Sequence, residues 1–177
     1  LYVAYHDNEW GVPVKDDPTL FEFLMLETFQ AGLSWITVLK KREHFSSAFD
    51  GFDYQKIAKY NTQKLEQLMR NSSIIRNKLK IKAAVTNAIA FINIQNEWGS
   101  FSKYIWHFTD DTPVVNRWVK LSDIPAQTAL SITISNDLKK RGFKFVGPTV
   151  VYAHMQATGM VNDHLLSCFR HSACQEF

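Results

Sequence analysis

In the run FLMLETFQAGLSW, residues 23–35, Glu27 is the only charged side chain. Set on a helix at about 100° per residue, Leu20, Leu24 and Ala31 project within about 60° of Glu27 on one side, and Phe23 lies about 40° away on the other. Glu22 falls on the opposite face, where a solvated charge belongs. Taking an ionised carboxylate out of water is costly unless a charge or hydrogen-bond donors meet it. Glu27 is therefore either a structural group paired with a nearby Arg or Lys, or a carboxylate that waits for a cationic ligand. His164 and Cys168 form a second chemical pair: spaced H-x-x-x-C, they would share one face if that segment is helical, and both types bind metals. A third feature is RGFKFVGPTVV at 141–151, where glycines lie between two helical patterns. A backbone can approach a phosphate closely only where side chains are absent, and a helix starting there adds a favourable dipole. An ordinary turn between two antiparallel helices would read the same way.

Helices must position these groups, because helical punctuation dominates the chain. Asp16 or Asp17 before Pro18 caps a helix that runs to about Ala31 and stops at Gly32. Ser34 can cap a second helix through about Phe49, with Trp35, Val38 and Leu39 facing inward. Asp53 and Asn61 have the character of caps for two short helices, and residues 74–95 carry a long apolar periodicity. Ser100 starts another short helix, with Phe101, Tyr104 and Ile105 at helical spacing. Ala129 to Lys140 reads as a helix ended by Arg141-Gly142, with Gly142 suited to the left-handed capping position. Val150 to Thr158 is again helical and ends at Gly159. The β-rich stretches are short, and no pair of alternating runs flanks an Asn-Gly or Asp-Gly turn. The expected fold class is all-α.

A length of 177 residues fits one domain, 1–177, and is enough to bury a real core. Hydrophobic content of 46% with 21% charged residues is that of a soluble globular protein. No apolar run approaches the roughly twenty residues of a membrane span and no signal-peptide pattern is present, so a cytoplasmic protein without a membrane partner is expected. Cys168 and Cys174 are too few for a disulfide framework. The chain begins at Leu1 without a methionine, so a further N-terminal piece is expected. A net charge of +3 permits nucleic acid as a partner without requiring it. Basic residues cluster at Lys40, Lys41 and Arg42, at Arg76, Lys78, Lys80 and Lys82, and at Lys139, Lys140, Arg141 and Lys144; each cluster is either a solvated helix face or a phosphate contact. Nothing suggests an obligate oligomer, and a monomer is expected.

The stretch from about 129 to 158 resembles the helix-hairpin-helix element of DNA repair glycosylases. Val146-Gly147 keeps the second glycine of that pattern, while Phe145 stands at the first. Four phrases spread in order across nearly the whole chain, YHDNEWGVP at 5–13, QAGLSWITVLKKR at 30–42, RGFKFVG at 141–147 and VNDH at 161–164, together resemble the 3-methyladenine DNA glycosylase I family. The resemblance implies an enzyme that flips an N3-methylated adenine out of double-stranded DNA and hydrolyses its bond to deoxyribose, releasing free 3-methyladenine. It implies that Glu27 accepts hydrogen bonds from the alkylated base, that Trp35 stacks on it and that Tyr5 lines the pocket. An aromatic cage with one desolvated carboxylate suits a flat cation, whereas neutral adenine would leave the carboxylate's charge unanswered. DNA contacts are expected from the turn at Gly32 and Leu33 and from Gly142, Lys144, Gly147 and Thr149 of the hairpin. Leu33 either wedges into the space vacated by the flipped base or staples the second helix.

In many members of the wider superfamily an Asp just after the second hairpin helix assists the attacking water. Here Asn162 occupies that place and Asp163 stands next to it, read as a supporting or capping residue. Bifunctional members carry a lysine two residues past the last hairpin glycine and form a Schiff base; here that position is Thr149, so base excision without strand cleavage is expected. The family also implies a structural zinc that ties the chain ends, about 1–12 and 161–177. His6, His164 and Cys168 match three of its ligands. The fourth, a cysteine, would precede Leu1 and is not in this chain, and the spacing of Cys174 does not recommend it as a substitute. The rival classes are a non-enzymatic module that binds alkylated DNA and a plain helical interaction domain held by zinc. Intact Glu27, Trp35 and Tyr5 speak against the first, and the second would show no preference for DNA.

Overall fold

The computed structural model describes residues 1–30 and 32–175. In chain order its helices are α1 (Tyr2–Asn8), α2 (Asp17–Gln30), α3 (Trp35–Ala48), α4 (Tyr54–Ile57), α5 (Thr62–Arg70), α6 (Lys78–Trp98), α7 (Phe101–Trp106), α8 (Ala129–Lys140), α9 (Pro148–Ala157) and α10 (Arg170–Ala173). α2 is the hub and packs on α3, α6, α7 and α9. From Leu20 to Phe29 every residue but Glu22 is buried, so α2 is apolar on all sides and its side chains radiate into the core. Phe29, Phe45 and Phe49 cluster between α2 and α3, and Phe21, Phe91 and Phe101 join α2 to α6 and α7. The expected end of α2 at Ala31 lies outside the described residues.

Local capping chemistry explains most helix starts. The Asp16 carboxylate accepts from the Thr19 N–H at 2.9 Å and opens α2, whereas Asp17 reaches across to the Phe101 and Ser102 N–H groups at 2.9 and 2.8 Å and caps α7. Asp53, Asn61 and Ser100 accept from the first turns of α4, α5 and α7. The long periodic helix starts at Lys78, later than the apolar pattern suggests, because Asn77 accepts from the Leu79 and Lys80 N–H groups and residues 71–77 form a turn. α8 ends at Gly142, φ +95°, and α9 opens with Pro148 at its first position.

Three features depart from the expected pattern. The fold is mostly helical but holds one short parallel strand pair, β1 (Val114–Val115) with β2 (Val161–Asn162), in the register Val114 to Val161 and Val115 to Asn162. Glu22 is not a fully solvated charge: it is half-buried and accepts from Arg42 Nε at 2.7 Å, because α3 packs beside α2 and brings Arg42 to it. Residues 163–169 are not helical, and α10 begins only at Arg170. Segment 12–14 runs along the end of α9, where Val14 N–H bonds Thr158 O at 3.0 Å. A Cβ on Gly159 would come within 2.4 Å of the Val12–Pro13 backbone, so only glycine lets the two segments touch.

Candidate functional site

A cavity of about 630 Å³ opens where α1, α2, α3 and α9 meet, and Tyr5, Glu27 and Trp35 line it together with His6, His164 and Cys168. α2 carries Glu27 into its wall at 4% exposure. Among the described residues no ion pair or hydrogen bond meets this carboxylate, and burial alone pushes its pKa up to about 8. The structural salt bridge that the sequence left open is therefore not formed. Arg42 on the next helix pairs with Glu9 at 2.6 Å and Glu22 at 2.7 Å. The Tyr5 ring tilts against Trp35 at 5.4 Å between centroids and against Phe23 at 6.4 Å. Burial, followed by the Glu27 charge, raises the Tyr5 pKa, so the phenol keeps its proton. The Trp35 indole N–H is buried without an acceptor among the described residues, a costly state for a donor.

Asp163 also lines the cavity, but it is not a free base. Its Oδ1 accepts from Asn116 Nδ2 and Trp118 Nε1, both at 2.7 Å, and its Oδ2 from Tyr152 Oη at 2.6 Å and Gln156 Nε2 at 2.8 Å. Four donors satisfy this buried carboxylate and bind the segment after β1 to α9. Asn162 is equally committed, donating from Nδ2 to His171 O at 2.9 Å and accepting from the His164 N–H at 3.2 Å. Neither side chain is available to activate water, which agrees with Asp163 as a supporting residue.

His6 on α1 converges with His164 and Cys168, although the segment carrying the latter two is not helical, and the three donor atoms lie within 4.8 Å of one another. Cys168 Sγ is 3.7 Å from both His6 Nε2 and His164 Nδ1. A tetrahedral zinc bonded at about 2.3 Å to sulfur and about 2.0 Å to nitrogen separates those donors by about 3.5 Å. The outer ring nitrogens are engaged: His6 Nδ1 meets Asp7 Oδ1 at 2.7 Å, and His164 Nε2 donates to Trp10 O at 3.0 Å. Those partners turn the inner nitrogens toward Cys168 as lone-pair donors, as a metal site requires. Burial lowers the His164 pKa to about 4, which keeps the ring neutral. Cys174 is not part of the set.

The remaining sequence candidates lie outside the cavity lining. Gly32, φ +82°, and Leu33, 38% exposed, form the turn after α2, where Gln30 Nε2 donates to Leu33 O and Leu33 N–H bonds Gln30 O, both at 2.8 Å. Gly142 gives its N–H to Lys139 O, so its part is to end α8. Lys144 and Thr149 are exposed on the hairpin. At Gly147 a Cβ would meet nothing within 4 Å and φ is an ordinary −61°, so the fold itself does not demand glycine there. Of the basic clusters, Lys80 is buried and donates to Phe29 O at 3.2 Å, and Arg141 is paired with Glu97 and Asp137. Sequence reasoning missed Trp10 and Gln156 as cavity residues; nothing in their local pattern distinguishes them from ordinary surface side chains.

A sequence model of the methyladenine glycosylase family matches residues 1–171. The chain is 48% identical over 168 residues to DNA-3-methyladenine glycosylase 1 of Escherichia coli (strain K12), covering 95% of this chain and 90% of that protein. It is 47% identical over 168 residues to the DNA-3-methyladenine glycosylase of Haemophilus influenzae, covering 95% and 91%. A solved structure concerned with 3-methyladenine recognition by 3-methyladenine DNA glycosylase I from Staphylococcus aureus superposes with a TM-score of 0.92 at 37% identity, covering 94% of this chain and 89% of that one.

Proposed function

The chain belongs to the methyladenine glycosylase family, and we infer that it hydrolyses the N-glycosidic bond of N3-methyladenine flipped out of alkylated DNA. The observation that carries this reading is Glu27, a buried acid in an aromatic cavity with no hydrogen-bond or ion-pair partner among the described residues. An N3-alkylated adenine in DNA bears a positive charge. Bound beside Glu27 it favours the ionised carboxylate, so the pKa falls from about 8 and the carboxyl releases its proton. Trp35 stacks on the base and Tyr5 closes the cage. Because the base departs neutral, the bond is already weak and little general-acid catalysis is needed. Charge moves onto the sugar as an oxocarbenium-like centre, and water completes the hydrolysis. With Asp163 and Asn162 hydrogen-bonded elsewhere, stabilisation of the extruded cation by Glu27 is the main protein contribution.

The hairpin and the Gly32–Leu33 turn supply the DNA contacts. The first-turn N–H groups of Thr149 and Val150 have no acceptor among the described residues, and the open space at Gly147 admits a phosphate. Exposed Leu33 wedges into the duplex. Thr149, where bifunctional relatives carry lysine, makes the enzyme a pure hydrolase. His6, His164 and Cys168 fit zinc in spacing and tautomer and would hold it as a structural ion between the two ends of the chain, leaving one coordination position to another ligand. The cavity is lined by one chain, so a monomer suffices, and two unpaired cysteines fit the reducing cytoplasm.

Incubation with methylated duplex DNA tests this reading. Free 3-methyladenine should appear while the strand stays intact until alkali is added. Retention of the DNA without base release would instead make the protein a lesion-binding module, and a borohydride-stable covalent complex would overturn the assignment as a pure hydrolase.

A further inference from the structure

Asn87 on α6 is 1% exposed and turns its carboxamide onto a single hairpin residue. Its Oδ1 accepts from the Lys144 N–H at 2.8 Å and its Nδ2 donates to the Lys144 carbonyl at 3.1 Å. Ser135 on α8, fully buried, donates its hydroxyl to the Val146 carbonyl at 2.6 Å. The described peptide bonds are all trans, and in a trans planar peptide the carbonyl and the following N–H point in opposite directions. Drawing the Lys144 carbonyl inward therefore turns the Phe145 N–H outward, and drawing the Val146 carbonyl inward turns the Gly147 N–H outward. Neither N–H has an acceptor among the described residues. Between the two anchors Phe145 sits at φ +57°, a conformation that side-chain-bearing residues rarely adopt, at the position where the hairpin usually has glycine. Its ring is 40% exposed, so core packing does not explain the conformation.

We propose that Asn87, with Ser135 as a second anchor, aims the Phe145 and Gly147 amides at a DNA phosphate and so lets the hairpin work without its first glycine. The assignment rests on the DNA glycosylase reading. Asn87 touches neither the base nor the reacting atoms and acts through the backbone it holds, which makes it a positioning residue.

Asn87→Ala should raise the Kd for a duplex carrying a tetrahydrofuran abasic analogue about tenfold, the loss of hydrogen bonds to a charged phosphate, with its salt dependence little changed, because neutral amides release no counterions. The effect should fall on KM, with kcat at saturating DNA changed by less than roughly twofold. Binding of free 3-methyladenine, read from tryptophan fluorescence, should not move. Adding Phe145→Gly should restore most of the duplex affinity, because glycine holds the left-handed backbone without the brace; a residue needed only for folding would show no such rescue. Unchanged duplex affinity in Asn87→Ala, or no rescue, overturns the proposal. If Asn87→Ala loses free-base binding as well, the milder Ser135→Ala decides: a raised KM with unchanged kcat supports the proposal, and an unchanged KM overturns it. Should the wild type release no base while Asn87→Ala still weakens duplex binding, the glycosylase reading fails and the hairpin assignment stands.

Discussion

The ionisable groups on α2 and α3 are met in two different ways. Arg42 is answered by Glu9 and Glu22, whereas Glu27, one turn and a half further along α2 from Glu22, is answered by nothing in the described protein. The folded-state pKa of Glu27, about 8, lies above the ordinary 4.5, so the empty fold favours the neutral acid. The stability this group contributes is fully present below its unfolded pKa and is lost as pH rises through the folded one, roughly 3 kcal/mol by pH 7. Glu27→Gln, neutral at every pH, should therefore raise the urea midpoint of the ligand-free protein at neutral pH and leave it nearly unchanged near pH 4. An equal midpoint at both would mean that burial of this carboxylate carries no penalty. His154 has the opposite sign: burial takes it from 6.5 to about 4, so its contribution is present above 6.5 and fades as pH falls.

At the scale of elements, the sequence announces what is local and hides what is tertiary. Asp53, Asn61 and Ser100 cap the helices that their residue types advertise, since each satisfies N–H groups two or three positions away. Asp17 had the same signature but serves α7, eighty-odd residues distant, and no local pattern reveals that choice. The helical wheel placed Glu27 inward correctly yet put Glu22 in solvent, because a wheel does not show the neighbouring helix whose Arg42 meets Glu22. α1 carries no side-chain cap, so it left no signal at all. The Asn87 brace was likewise illegible, since a buried Asn in a helix interior has no sequence signature. The turn after α2 gives a test of its own. Leu33 is exposed and its backbone is held by Gln30 rather than by its side chain. Leu33→Ala should change stability by less than about 0.5 kcal/mol while weakening abasic-duplex binding about tenfold. A thermal denaturation paired with a binding titration separates this from a staple, which would lose stability instead.

Over the whole molecule, the proposed base cage and the candidate zinc ligands share one cavity wall, and the candidate ligands come from positions 162 residues apart in sequence. Zinc that ties these segments would also steady Tyr5, which lies one residue from His6 on α1. Chelation should accordingly lower the melting temperature by several degrees and weaken 3-methyladenine binding with it. Metal analysis finding no zinc, with melting indifferent to chelator, would remove the ion from the picture. In the proposed function the cationic base is the partner that no described residue supplies to Glu27, and this role is read in single-turnover release of 3-methyladenine from methylated duplex by Glu27→Gln beside the wild type. Release should fall about a hundredfold while abasic-duplex affinity holds; release at the wild-type rate would contradict the role of Glu27.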